Sequence, residues 1–402
     1  MFRRGLGPAG KEALGLAVSG GGDSLALLHL AVEAGCTVAV ATVDHGLRPE
    51  AADEAAAVGA ACAALSVPHD ILHWRWDGQG NLQDAARRGR IAALAAWAQG
   101  RGLRAVALGH TQDDIAETFL MRLARDAGVD GLAAMAARRE VDGIAFLRPL
   151  LGVGRAELRG WLLQRGVSWA DDPSNDDPRF DRVRARRALA AMADAGVDGA
   201  AIAALAGKMA EVRAALEATT AEAAARLVRI DGGDVILDTQ GLAALPAEIR
   251  RRLLLAAVMW IASAEYGPRG AEMERFVAAA LEGRVATLAG CRTSHARGRM
   301  RITREVRAVA GLSCPVGALW DRRWRVSGPD SNGLTLRALG EAGLAACPDW
   351  RAAPYPRTTL LASPAVWDAG VLVAAPLAGF GAGWVAQCQP PRGPLAAAPL
   401  SH

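Results

Sequence analysis

The sequence predicts an α/β fold built on a parallel sheet, followed by a helical connector and two smaller C-terminal modules. Three observations carry that reading. Through about the first 170 residues, short β-branched runs alternate with stretches of helical spacing, the pattern of strands joined by crossover helices. A glycine-rich turn, Ser19–Ser24, lies between the first run and the first helix. Beyond about residue 185 the strand signals stop and an alanine-rich segment follows.

LGLAVS (14–19) reads as a short buried strand, and Leu25, Leu28 and Val32 recur at helical spacing between Ser24 and Ala34. TVAVATVDH (37–45), DILHW (70–74) and RAVALGH (104–110) are the next strands. Asn81 is placed to cap a helix whose apolar face runs through Leu82, Ala86, Ile91 and Leu94, and a further helix falls near 113–124. These elements make a first domain of residues 1–189. The alanine-rich stretch gives a helical connector, 190–228. A small α/β or helical module, 229–310, opens with DGGDVILDTQGL and continues through a helix at 247–264. The last module, 311–402, is rich in Gly, Pro and short β runs such as GLTLRAL and GVLVAAP; its final dozen residues lack apolar periodicity and read as a frayed tail.

Composition bounds the rest. At 402 residues the chain has room for about two to three domains. With 51% hydrophobic and 22% charged residues it can fill its cores, which argues against disorder. Every apolar run of about 18 residues is interrupted by charge, so no membrane partner is expected. The first residues lack the apolar core of a secretory signal. Six cysteines without a CxxC pair argue against a zinc ribbon, an iron–sulfur site or a disulfide scaffold, and make the cytoplasm the expected compartment. Lys11 and Lys208 are the only lysines, so 44 of the 46 cations are arginine. A net charge of +4 permits nucleic-acid binding without demanding it.

Chemistry concentrates at the C-terminal ends of the predicted strands. GLGPAG (5–10) matches GxGxxG but follows no strand, and is a chance match. Ser19-Gly20-Gly21-Gly22-Asp23-Ser24 follows a strand and opens a helix, where glycines let backbone N–H groups close on an anion and the helix dipole assists. No G-K-[ST] follows either lysine, so this is not a Walker loop. Asp23 would repel phosphate unless a cation bridged them; Mg²⁺ shared between them resolves the conflict. Asp113, Asp114 and Glu117 crowd the start of one helix, with spacings that put at least one pair on a common face. Acidic residues in a first turn also serve the helix dipole, which is the plainer reading. His45 and His110 end two strands and, with Asp44, suit a nucleotide pocket. Arg87 and Arg90 can aim at one anion, a phosphate or an RNA backbone. Arg179, Arg182, Arg184, Arg186 and Arg187 form a basic patch fit for RNA phosphate or a transferring adenylate. A second basic stretch, 284–307, includes Arg297 and Arg299, and Trp324 follows in RRWR (322–325).

SGGGDS resembles the pyrophosphate loop of N-type ATP pyrophosphatases, which split ATP between the α- and β-phosphates and adenylate a substrate oxygen. Within that superfamily, VDHGLRPE (43–50), NLQDAARRGR (81–90), LGHTQDDIAETFLMRL (108–123), RPLL (148–151) and WADDPSNDDPRFDRVRARRAL (169–189) are similar to the motifs of tRNA(Ile)-lysidine synthetases. Beyond residue 190 only the layout is similar. The resemblance implies a Rossmann-like sheet of the adenine nucleotide α-hydrolase type, with ATP and Mg²⁺ as cofactors. It implies tRNA(Ile) with a CAU anticodon and free L-lysine as partners, and it leaves a homodimer open. On that basis ATP falls to Ser19–Ser24, Asp44, His45 and His110, and metal to Asp23 and Asp113. Lysine falls to Asp114 and Glu117; catalysis falls to these two, Asp23, Arg184 and Arg186; and tRNA falls to Arg87, Arg90, Arg179, Arg182, Arg297 and Arg299. Three departures stand out: Ala51 where the family often has serine, Ile91 where an aromatic is common, and Asp126 where glycine is usual. Rival readings are an RNA thiolase, which would want a CxxC or persulfide cysteine near the loop, a glutamine-dependent synthetase, and an RNA-binding protein without turnover.

Overall fold

The computed structural model describes residues 2–46, 51–76, 78, 82–170, 177, 179–264, 267–329, 331–391 and 393–395. Residues 47–50 of VDHGLRPE, Asn81, residues 171–176 and 178 around Pro173, and the last residues of the tail lie outside them. The chain forms two compact units, Met1–Arg213 and Ala214–His402.

In the first unit, α1 (Phe2–Leu6) and a short 3₁₀ turn precede β1 (Leu14–Ala17), so the GLGPAG stretch is helical and follows no strand. Then come α2 (Gly22–Glu33), β2 (Val38–Asp44), α3 (Ala51–Ala64), β3 (His69–His73), α4 (Leu82–Gly100), β4 (Ala105–Leu108) and α5 (Gln112–Leu123). After the single turn α6 (Val129–Leu132), a hairpin of β5 (Arg138–Val141) and β6 (Ile144–Leu147) leads to α7 (Arg155–Leu163), α8 (Asp181–Ala193) and α9 (Gly199–Leu227), whose residues from Ala214 on belong to the second unit. The six strands lie in the order β3-β2-β1-β4-β6-β5, all parallel except β5.

Alternation along each strand explains why both faces are covered. Leu14, Leu16, Val38, Val40, Ala105, Ala107 and Leu147 pack with Leu25, Leu28, Val58, Leu158 and Leu162 of α2, α3 and α7. Their neighbours Ala17, Ala39, Ala41, Val106, Leu108, Ile144 and Phe146 face Leu94, Ala95 and Ala98 of α4. Each fully buried Leu or Val contributes about 1.5–3 kcal/mol. Slipping a strand by one residue would exchange its faces, so register is fixed by the same alternation. Ile115, Ala116 and Phe119 of α5 pack on Ile202, Ala203 and Ala206 of α9, with Leu189 of α8 alongside.

The second unit holds an antiparallel sheet of order β7-β8-β11-β10-β9: β7 (Val228–Asp231), β8 (Asp234–Asp238), β9 (Thr287–Leu288), β10 (Cys291–Ala296) and β11 (Arg299–Arg304). A helix at Ala247–Ala262 lays Leu253, Leu254, Ala257, Val258 and Ile261 against Val235, Leu237, Met300 and Ile302. The later runs form a four-stranded sheet that takes in Thr335–Ala338 and Val371–Ala374, together with a two-stranded ribbon. Among the described residues, no helix is long and apolar enough to cross a membrane.

Candidate active site

β1 and β4 are sequence-distant neighbours from which the strand order runs in opposite directions, the switch point where α/β sheets leave a crevice at their carboxyl ends. The glycine-rich loop occupies that crevice. Helix α2 starts at Gly22, two residues earlier than its apolar spacing indicates, so Gly22 and Asp23 belong to its first turn. Gly20 takes φ +90°, a conformation an L-residue adopts only under strain. A Cβ on Gly109, at the end of β4, would come within 3.0 Å of the Asp23 carbonyl, so that glycine lets the loop settle against the strand. The Ser24 hydroxyl donates to the Gly21 carbonyl (2.8 Å) and accepts from the Ser19 N–H (3.1 Å), closing the loop on itself.

Three adjoining cavities share Arg90. One of about 270 Å³ is lined by Val18, Ser19, Thr42, His45, Glu54 and Arg90. The second, about 610 Å³, is lined by Ser19, Gly21, Gly22, Asp23, Ser24, Gly109, His110, Asp114, Arg155, Arg159, Arg182 and Arg186, besides Arg90. The third, about 500 Å³, has among the described residues seven arginines on its wall (Arg87, Arg90, Arg122, Arg125, Arg139, Arg148 and Arg182) and no carboxylate. Ile91, Met121, Met135 and Val141 give it an apolar side.

Arg155 organises the second cavity. Its Nε donates to Asp23 Oδ2 (3.0 Å), Nη1 to Glu117 Oε1 (2.9 Å) and Nη2 to Asp114 Oδ1 (3.2 Å). Its backbone N–H donates to Asp113 Oδ2 (2.6 Å), fixing the first turn of α7. Glu117, fully buried, also accepts from Arg182 Nε (2.7 Å) and Arg186 Nε (2.6 Å). Asp114 accepts the Thr111 N–H on Oδ2 (2.8 Å), helping to cap α5, and Arg182 Nη2 on Oδ1 (3.1 Å). Carboxylates that would repel one another thus interleave with three guanidiniums. Burial opposes the charge on Arg155, but Glu117 and Asp23 hold its pKa above the ordinary arginine value. Burial raises the pKa of Asp23, and Arg155 offsets part of that rise. Burial pushes His110 down to about 4, so its imidazole is neutral near pH 7; His45 is lowered by burial and then by Arg90.

The residues singled out in the sequence separate here. Ser19, Gly21, Gly22, Asp23, Ser24, His110, Asp114, Arg182 and Arg186 line one cavity, and Arg186 reaches Glu117 behind its wall. Arg87 and Arg90 line the arginine-rich one, and His45 borders it. Asp44 faces elsewhere: its Oδ1 accepts the Gly46 N–H (2.8 Å) and its Oδ2 lies 3.5 Å from His73. Arg184 bonds Asp181 and the Arg179 carbonyl, and Arg179 pairs with Asp177, both on the exposed side of the segment. Arg297 and Arg299 are exposed around the β10–β11 turn of the second unit. Arg155 escaped the sequence reading, although Gly154-Arg155 opening a helix just after RPLL was a usable signal.

A magnesium ion fits Asp23 on one ground: its Oδ1 is buried without a hydrogen-bond partner. Among the described residues no group of three or more His, Cys, Asp or Glu side chains is placed to hold a metal. An ion here would therefore take one carboxylate oxygen and draw its other ligands from phosphate and water, the usual habit of Mg²⁺.

A family model described as a PP-loop domain matches residues 2–193. A tRNA(Ile)-lysidine synthase of Ruegeria pomeroyi is 50% identical over 97% of this chain and 94% of its own length. Those of Rhodopseudomonas palustris and Zymomonas mobilis are 45% and 41% identical, over 60% and 69% of this chain and 73% and 84% of theirs.

Proposed function

The chain belongs to the tRNA(Ile)-lysidine synthase family, and from that premise we propose how its first unit performs the chemistry. It is an ATP-dependent ligase that modifies tRNA. The acceptor is the wobble cytidine of tRNA(Ile) with a CAU anticodon. Its C2 carbonyl oxygen attacks the α-phosphorus of ATP, a P–O bond forms, and pyrophosphate leaves. The amine of free L-lysine then attacks C2, the C–O bond breaks, AMP departs with the oxygen, and the new C–N bond sheds the amine proton. The product, lysidine, pairs with A instead of G.

Backbone N–H groups of Ser19–Ser24 and the start of α2 hold the phosphates. Magnesium at Asp23 Oδ1 would neutralise the phosphate charge. Asp114 and Glu117 receive the lysine. The side chains of Arg182 and Arg186 are 46% and 32% exposed against 17% for Arg155, so they are the partners that yield to the incoming ammonium. Once displaced, they turn to the adenylate and pyrophosphate oxygens. The arginine-lined cavity, with Arg87, Arg90 and Arg182, takes the wobble nucleotide and its flanking phosphates. Arg179, Arg297 and Arg299 meet other parts of the tRNA. Most of the rate acceleration is then positioning and charge neutralisation.

The observation that supports this reading is the joining of Asp23 to Asp114 and Glu117 through Arg155, with Asp23 and Asp114 on one cavity wall and Glu117 just behind it. Among the described residues no cysteine lines any of the three cavities, which disfavours a thiolase. The decisive assay uses transcribed tRNA(Ile) with a CAU anticodon, Mg-ATP and radiolabelled lysine. Label should enter the RNA only with ATP and vanish when the wobble cytidine is replaced. ATP cleavage without label in RNA would move the function to another acceptor.

A further inference from the structure

One residue beyond β3, the backbone N–H of Trp74 donates to the Asp44 carbonyl (2.9 Å) and carries the β2–β3 register one step further. That step sets the indole beside His45, with ring centroids 5.6 Å apart at 71°, an edge-to-face arrangement. The other side of the indole lies against α4 at Gly89. A Cβ on Gly89 would fall 1.9 Å from the indole Nε1 and 2.4 Å from Cδ1, so no other residue fits while Trp74 keeps this place. Glycine in a helix interior costs about 1 kcal/mol relative to alanine, and here that cost secures room. The two groups so fixed both face the cavities: His45 and, next to Gly89, Arg90 line the 270 Å³ and 500 Å³ spaces alike. Among the described residues the Nδ1 of His45 is buried without a hydrogen-bond partner, and the ring packs against Trp74.

We propose that Trp74, seated in the notch left by Gly89, is a positioning residue for the nucleotide. It fixes the His45 imidazole and the Arg90 turn of α4 as two walls of the 270 Å³ cavity beside Ser19, where the adenosine part of ATP would lie. The inference rests on the ATP reading above and deepens it, because neither residue contacts the reacting atoms. Removing the wedge should weaken ATP while leaving the chemical step of the bound complex nearly intact.

The test is a double-mutant cycle on the full-length chain, with ATP affinity measured by calorimetry in the absence of RNA. Gly89→Ala alone should lower ATP affinity about tenfold, or about 1.4 kcal/mol, because the new methyl expels the indole. Trp74→Ala should lower it similarly. The double variant should match Trp74→Ala alone, since an empty notch accepts the methyl. Trp74→Phe, which keeps an aromatic edge on His45, should recover most of the affinity. In steady state the single variants should raise KM for ATP with kcat held within about threefold, and their melting temperatures should stay near that of the parent chain. Unchanged ATP affinity in Gly89→Ala, or losses that simply add in the double variant, would overturn the proposal. So would a loss of kcat at unchanged KM. Because the cycle reads ATP binding without RNA, its failure is distinct from a failure to form lysidine.

Discussion

A single guanidinium, that of Arg155, meets carboxylates from the glycine-rich loop and from α5 while its own N–H is held by Asp113. Lysine at that position would keep the charge but offer one ammonium where a planar fork now spans three acceptors. Arg155→Lys should therefore lower kcat/KM for lysidine formation on the order of a hundredfold, a loss of about 2.7 kcal/mol of transition-state stabilisation, in a chain that still folds. His110 gives a pH signature. Its folded pKa of about 4 lies below the ordinary value of 6.5, so as pH falls the unfolded chain takes the proton first. The His110 contribution to stability is present above pH 6.5 and is lost as pH falls toward 4, at most about 3 kcal/mol. Denaturant titrations across that window should show a flatter slope in His110→Gln. The loop and the acidic trio were legible in the sequence because each is a local string with its own physical meaning. Arg155 was not, since it lies 38 to 132 residues from the carboxylates it binds and only the fold brings them together. Asp44 shows a related ambiguity: a carboxylate two residues ahead of a glycine turns back on its own backbone as readily as it meets a ligand.

At the scale of elements, the parallel strands were readable from their apolar runs, but the antiparallel edge was overlooked. Its signal is present in Val141-Asp142-Gly143-Ile144, where Asp142 (φ +51°) and Gly143 (φ +75°) form the two-residue turn that Asp-Gly favours between paired strands. The loop after α5 answers the question raised by Asp126. That residue sits at φ +56° and its N–H donates to the Leu123 carbonyl (3.0 Å), a left-handed helix end where glycine is at ease and an aspartate is strained. Asp126 is tolerated, not required. Asp126→Gly should raise the unfolding free energy by up to about 1 kcal/mol, visible in chemical denaturation, with lysidine formation unchanged.

For the molecule as a whole, two lysines among 46 cations carry no functional meaning on composition alone. The cavities change that. Among the described residues that line them, every lysine or arginine position is arginine, and Lys208 is not one of the lining residues. Guanidinium groups keep their protons at any pH the protein meets and are poor nucleophiles, whereas a lysine amine can shed its proton and attack. An activated base held in this site therefore finds one reactive amine, the one carried in by the free amino acid. The described residues of the cavity walls thus present no side-chain amine to compete with that of the substrate. Amine-directed acylating reagents should accordingly leave turnover nearly intact, while an arginine-directed dicarbonyl should abolish it, with ATP slowing the loss.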